Sequence, residues 1–249
     1  MLSESVASLL AQDVPIRVLL VDNASTVPLD VDPSVEVVSS PARLSLGAAR
    51  NYGLERVETP YVMFWDADDV MLAGSLARLE RSLDSNAGTV ASAAAIVEDS
   101  GERHRWPRLW IASLLRAPRV FALAHCVWSL YPTTGATLIR TDALRAGGGF
   151  GDAMSGDDWI AGVSLAFRGR LRWSEQPGRV YRRQGHSIWA DYSTPVHLSA
   201  HARAVRKRIR RDPGIPAWAK LMLPLIALVE YAAIAGHVLV SAVRRARRV

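Results

Sequence analysis

The chain has 249 residues, 49% of them hydrophobic and 22% charged, with a mean hydropathy of +0.08; this balance excludes a disordered chain, a collagen and a multi-span membrane protein. Its length fits one large domain, or one domain with an appendage, and the single Cys126 excludes an intramolecular disulfide framework, so the reducing cytosol is the default compartment. The net charge of +6 is local: residues 200–249 hold 11 Lys and Arg against two acids, while residues 1–199 hold 19 against 22, which argues against nucleic acid as a partner of the body.

In chain order, Leu2 to Gln12 has the apolar spacing of a helix, and Ile16 to Val21 is a short apolar run of the kind that forms a buried strand. That run stops at Asp22-Asn23. Val35 to Val38 predicts a second strand, Leu46 to Arg56 a helix, and Tyr61 to Trp65 a third buried strand that ends in Asp66-Ala67-Asp68-Asp69. A helix from about Ala73 to Leu83 and a strand from about Thr89 to Val97 follow. Residues 98–134 mix charge, Trp106, Trp110 and three prolines, and read as loops with one short helix around Leu109 to Leu115. Gly135 to Arg140 predicts a strand, then come a helix capped near Thr141 or Asp142, a flexible Gly147-Gly148-Gly149, and a helix from Asp157 to Arg168. Short strands at Leu171 to Trp173 and Arg179 to Arg182 precede a basic helix, Val196 to Arg211. The alternation of buried strands with helices predicts an α/β fold with a mainly parallel sheet. Ligands in such sheets collect beyond the carboxyl ends of strands, where both polar clusters fall.

Crowding Asp66, Asp68 and Asp69 into four positions is unfavourable unless something cationic neutralises them. A hard divalent ion such as Mg²⁺ or Mn²⁺ is one answer, since it accepts one or two carboxylates together with phosphate oxygens. A solvated acidic turn that starts the next helix is the plain alternative. Asp157 and Asp158 have the same ambiguity, because an acid pair also suits a helix amino terminus. His197 and His201 lie four apart in a basic helix with no carboxylate ligand nearby, which predicts a solvated face rather than a zinc site.

The ordered set VDNAST, GAARNYGL, PYVMFWDADD, GGF with GDDW, and YRRQGHS resembles the inverting family-2 nucleotide-sugar glycosyltransferases of GT-A fold over roughly residues 2 to 190. The resemblance implies a metal at Asp66-Ala67-Asp68, with Asp68 holding Mn²⁺ or Mg²⁺ against the donor diphosphate, Asp69 as its acidic neighbour, and His186 approaching the metal or diphosphate. It implies donor contacts from Asp22 and Asn23 at the end of the nucleotide-binding strand, and from Arg50 and Asn51. Asp158 matches the acidic position of the catalytic base, with Asp157 its nearest competitor. The partners so implied are a nucleotide-diphosphate sugar and a glycan or lipid-linked acceptor. The alternative is a catalytically inactive relative that binds a sugar nucleotide or a partner.

The family's usual first strand precedes the first helix, and here Met1 falls at that helix. The expectation is therefore two open sheet edges, explained by a start placed too far downstream, by an edge supplied from elsewhere, or by loss of catalysis; the first is preferred. Met1 to Gln12 lacks the pattern of a secretory signal. Leu221 to Val243 is mostly apolar and flanked by arginines, but Glu230, His237 and Pro224 argue against spanning a membrane. A helix lying on an anionic inner leaflet, or one packed on its own domain, remains. The organisation expected is a glycosyltransferase domain over residues 1–195 and a helical tail over 196–249, acting in the cytoplasm at the inner face of the cell membrane.

Overall fold

The computed structural model describes residues 1–98, 103–104, 109–152, 155–182 and 194–246. Helix α1 (Leu2–Leu10) leads to strands β1 (Leu19–Asp22) and β2 (Glu36–Ser39), then α2 (Leu46–Leu54), β3 (Tyr61–Met63), β4 (Val70–Met71) and α3 (Ser75–Asp84). Strands β5 (Thr89–Glu98) and β6 (Arg103–His104) precede α4 (Leu109–Leu114) and α5 (Pro118–Val127). The chain continues through β7 (Thr137–Arg140), α6 (Thr141–Ala146), α7 (Asp157–Arg168) and β8 (Arg170–Tyr181). It ends in α8 (Pro195–Arg211), α9 (Ala217–Leu221) and α10 (Leu223–Ala246).

The α/β class with a C-terminal helical extension is as expected, and the strand directions are mixed. One sheet has the order β3-β7-β5-β8-β4, with β6 paired to β5; β1 and β2 form a parallel pair of their own. Among the described residues, β5 and β8 are also parallel, and the other four pairings are antiparallel. β1 and β3 do not pair. Both line a cleft of about 1010 Å³, which α1 also lines through Leu2, Val6 and Leu9. This is the separation expected where the resemblance implies one more strand.

Two local readings fail for physical reasons. Residues 118–127 are helix α5 rather than loop, because Pro118 stands at the helix start, where its missing N–H costs nothing. Arg170 to Tyr181 is one strand rather than two; it stays extended through Glu175, Gln176 and Pro177 by register shifts against Ala94 and Ala95.

Among the described residues, two of the three clusters of the core meet at α7, where every residue from Trp159 to Ala166 is buried; the third packs Leu79 and Leu83 of α3 on Ala94 and Leu138. Of the two that meet, one packs Leu165 with Ile139, Ala91 and Phe121 under the sheet. The other packs Ile160 and Val163 against Leu198, Ala202, Val205 and Ile209 of α8, and Ile226 and Ile234 of α10. Glu230, awkward in an apolar run, is 1% exposed and ion-paired with Arg206 of α8. His201 is buried, not solvated, and its ring pairs with the Ser155 hydroxyl at 2.8 Å. No helix among the described residues is long and apolar enough to cross a membrane.

Candidate active site

The site grows from strand ends and two helix ends. β1 stops where Asp22 accepts from the Ser25 N–H at 2.9 Å and Ser39 donates to it, which closes a turn with Ala24 at φ 58°. The Ser25 hydroxyl and N–H hold the Asp22 carboxyl below its ordinary pKa. The Asn23 amide pairs with the Leu44 backbone in both directions, at 2.8 and 3.0 Å. Downstream of β3, residues 64–69 curl so that the Asp69 N–H reaches the Asp66 carbonyl.

The cations that this acidic run requires come from other elements. Asp66 accepts from Arg50 of α2 at 3.4 Å and from Arg179 of β8 at 2.7 Å. Arg50 also donates to Asp157 at 2.7 Å, and Arg179 pairs with Asp69. A continuous chain of charge, Asp157–Arg50–Asp66–Arg179–Asp69, therefore joins α7, α2, the β3 end and β8. Its two ends are deeply covered, Asp157 at 1% exposure and Asp69 at 0%, while the side chain of the central Asp66 is 37% exposed. Burial pushes Asp69 up to about 6 against the pull of Arg179. Asp69 further accepts from the Arg182 N–H at 3.0 Å, so it anchors the end of β8 rather than facing a ligand.

Gly135 makes this possible at φ 86°, since a Cβ there would collide with the Arg179 guanidinium. The sequence reading missed Arg179, which looked like an ordinary strand residue. The available signal was electrostatic: three acids within four positions demand positive charge, and an arginine near the end of another strand supplies it.

α7 begins at Gly156, in the left-handed region at φ 74°, with Asp157 and Asp158 in the first turn. Asp158 is half-buried, and burial, helped by the neighbouring Asp157 charge, pushes its pKa up to about 6. Arg50 works in the opposite direction. The glycine-rich segment before α7 is pinned rather than loose. Asn51 exchanges two hydrogen bonds with the Phe150 backbone, at 2.9 and 3.0 Å, and Arg208 of α8 donates to carbonyls of Gly147, Gly148, Gly149 and Phe150.

Of the residues singled out from sequence, Asn23, Arg50, Asp66 and Asp68 line the large cleft. Asp22, Asn51 and Asp157 do not line it, although each ties down backbone or side chains beside it. Asp158 opens on a neighbouring cavity of about 100 Å³, and Asp66 lies close enough to raise its pKa. His186 and Ser187 lie outside the described residues. Among the described residues, no three His, Cys, Asp or Glu side chains gather as a metal-holding set. Asp68 with Asp66 still fits a hard ion that takes most of its ligands from phosphate and water.

In an open α/β sheet such as this one, the ends of the strands, here carrying acids and arginines, are where a ligand site is expected. Residues 1–146 match the model of glycosyl transferase family 2, and the chain belongs to that family. It is 31% identical over 162 residues to the pre-mycofactocin glycosyltransferase of Mycobacterium tuberculosis, in strains CDC 1551 / Oshkosh and H37Rv, a match covering 61% of this chain and 33% of the relative. The chain thus spans about a third of the length of these relatives. Among solved structures, S. aureus TarS 1-349 in complex with UDP-GlcNAc superposes with TM-score 0.68 and 16% identity, covering 93% of this chain and 69% of that one. The mannosyltransferase PcManGT of Pyrobaculum calidifontis, in complex with GDP-Man and Mn²⁺, gives TM-score 0.58 and 19% identity, covering 96% and 75%. These likenesses establish the shared GT-A fold.

Proposed function

We propose that the protein transfers a sugar from a nucleotide-diphosphate sugar to an acceptor hydroxyl with inversion, using Asp158 as general base. The observation that carries this is the position of Asp158: at the start of α7, next to the Asp157–Arg50–Asp66 chain and opening on a cavity of its own. A carboxylate with a pKa near 6 is more basic than an ordinary aspartate and still mostly ionised at neutral pH, which suits proton removal from an alcohol. As the acceptor oxygen attacks the anomeric carbon, the bond to the nucleotide diphosphate breaks on the opposite face, and Asp158 takes the hydroxyl proton.

Arg50 holds Asp157 and Asp66 in register while staying positive at the cleft wall, where a diphosphate would gain from it. Asn23 lines the same cleft, near the base end of the donor in this reading. Asp68, with Asp66 and His186 as further candidate ligands, would hold Mn²⁺ or Mg²⁺, which offsets negative charge on a departing diphosphate. The relatives' ligands, UDP-GlcNAc in TarS and GDP-Man in PcManGT, support the donor class. The acceptor in this reading is a glycan or lipid-linked glycan of the cell envelope.

We assign the chemistry to residues 1–195 and an attachment role to residues 196–249. Exposed Leu221, Leu225, Leu228 and Tyr231 on α9 and α10, beside exposed Arg203, Lys207, Arg210 and Arg211 of α8, support docking on the anionic cytoplasmic face of a membrane.

Incubation with UDP-, GDP- and dTDP-sugars and Mn²⁺ tests the reading. Turnover that Asp158→Asn abolishes while nucleotide binding persists is the expected result. Nucleotide binding with no turnover of any donor would favour the inactive binding protein instead.

A further inference from the structure

Arg179 lines the large cleft with a side chain that is confined at both ends. Its backbone is fixed, because it registers with Met71 of β4 on one side of β8 and with Ile96 of β5 on the other. Its guanidinium lies against Gly135, with the Trp65 and Tyr181 ring centroids 5.8 and 5.5 Å away, and the residue is 6% exposed. One nitrogen, Nη2, meets two carboxylates: Asp66, at 2.7 Å, and Asp69. The Nε of the same group is buried with no hydrogen-bond partner among the described residues.

The two carboxylates are not equivalent. Asp69 is fully buried, stays off the cleft wall and also accepts from the Arg182 N–H, so it is fixed to Arg179. Asp66 lines the cleft beside Asp68 and has Arg50 as a second, longer partner at 3.4 Å. Asp66 can therefore change partners and leave Arg179 still compensated by Asp69, with no buried charge stranded. A divalent ion on Asp66 and Asp68 would compete with Arg179 for the same carboxylate, since two cations repel across one acceptor. An Nη2 N–H released from Asp66 faces the cleft, where phosphate oxygens make strong, charge-assisted hydrogen bonds to a guanidinium.

We propose that Arg179 is a donor-binding residue with two settings: it holds Asp66 while no donor is bound, and gives that N–H to the donor diphosphate once Asp66 turns to the metal. The proposal rests on the transferase reading and deepens it. Arg179 then opposes the ion alone and favours the diphosphate beside it, so the two bind as a coupled pair.

The test is the double variant Asp69→Asn/Arg179→Met of the full chain, which removes both buried partners and leaves the net charge unchanged. Without nucleotide, Mn²⁺ titrations followed by electron paramagnetic resonance should show the variant binding the ion about fivefold or more tighter than the parent. At saturating Mn²⁺, calorimetry should show it binding UDP or GDP about fivefold or more weaker, and uridine and guanosine, which lack the diphosphate, equally well. Arg179→Lys, the milder change, should move both affinities in the same directions. A purely structural role for Arg179 cannot give shifts of opposite sign: weakening in both titrations, or no change in either, overturns the proposal. Nucleotide binding with an unmoved Mn²⁺ affinity would sink the proposal alone, whereas a parent that bound neither UDP nor GDP would sink the transferase reading with it.

Discussion

Arg50 donates to Asp157 at 2.7 Å, and the carboxylate it meets is almost wholly withdrawn from water. Removing one partner of such a pair strands the other charge, a loss of about 3–5 kcal/mol, whereas removing both costs far less. Arg50→Met should therefore lower the unfolding free energy by about that amount in urea titrations. The double variant Arg50→Met/Asp157→Asn should lose less than the sum of the two single losses. Additive losses would show that the two side chains do not act as a unit.

The raised pKa of Asp158 carries a stability cost with a definite sign. Its folded value, about 6, lies above the ordinary 3.8, so the folded state prefers the protonated form. Its contribution is most favourable below pH 3.8 and is lost as pH rises through 6. Asp158→Asn should stabilise the protein by about 1–3 kcal/mol at pH 8 and leave it near the parent at pH 4. Thermal melts of both proteins at the two pH values decide this. In turnover assays the base must be ionised, so the parent's rate should climb with pH through about 6; a flat profile from pH 5 to 8 would remove Asp158 from the base role.

Much of this arrangement was legible in the sequence because it depends on local pattern. Ile16 to Val21 and Tyr61 to Trp65 announce buried strands by composition alone, and the acids that follow them mark the strand ends. What escaped depends on partners distant in the chain. Arg179 meets Asp66 across 113 positions, and Arg208 caps carbonyls about 60 positions away. His201 looked solvated because Arg203 and Lys207 of the same helix are exposed, while its own ring turns toward Ser155. Glu230 looked misplaced in an apolar run until Arg206 supplied its counter-charge.

Two glycines should respond to alanine in opposite directions. A Cβ on Gly47 of α2 would fall 1.6 Å from the Gly151 carbonyl oxygen, a backbone atom that cannot swing aside. Gly47→Ala should destabilise by about 1–3 kcal/mol or more through overpacking, and should disturb the segment that leads to α7. Gly236 sits within α10 with nothing within 4 Å of an added Cβ. Gly236→Ala should stabilise by up to about 1 kcal/mol, from helix propensity alone. Denaturant midpoints measured side by side check both signs.

The attachment proposal needs a variant that leaves the fold intact, and the packing of α10 shows which residues to change. Deleting residues 213–249 would strip Ile226 and Ile234 from Val205 and Ile209, so lost vesicle binding in that truncation would mean little. Leu221, Leu225 and Leu228 are instead outward, at 80%, 50% and 67% exposure. Replacing all three with Glu removes apolar surface available for insertion and adds charge that an anionic surface repels. Each basic side chain near such a surface contributes about 1 kcal/mol, so the four exposed cations of α8 give the parent an affinity that high salt should weaken. In flotation with phosphatidylserine vesicles the parent should co-migrate at low salt, and the triple Glu variant should remain at the bottom with an unchanged melting temperature. Equal flotation of the two proteins would place the contact elsewhere on the molecule.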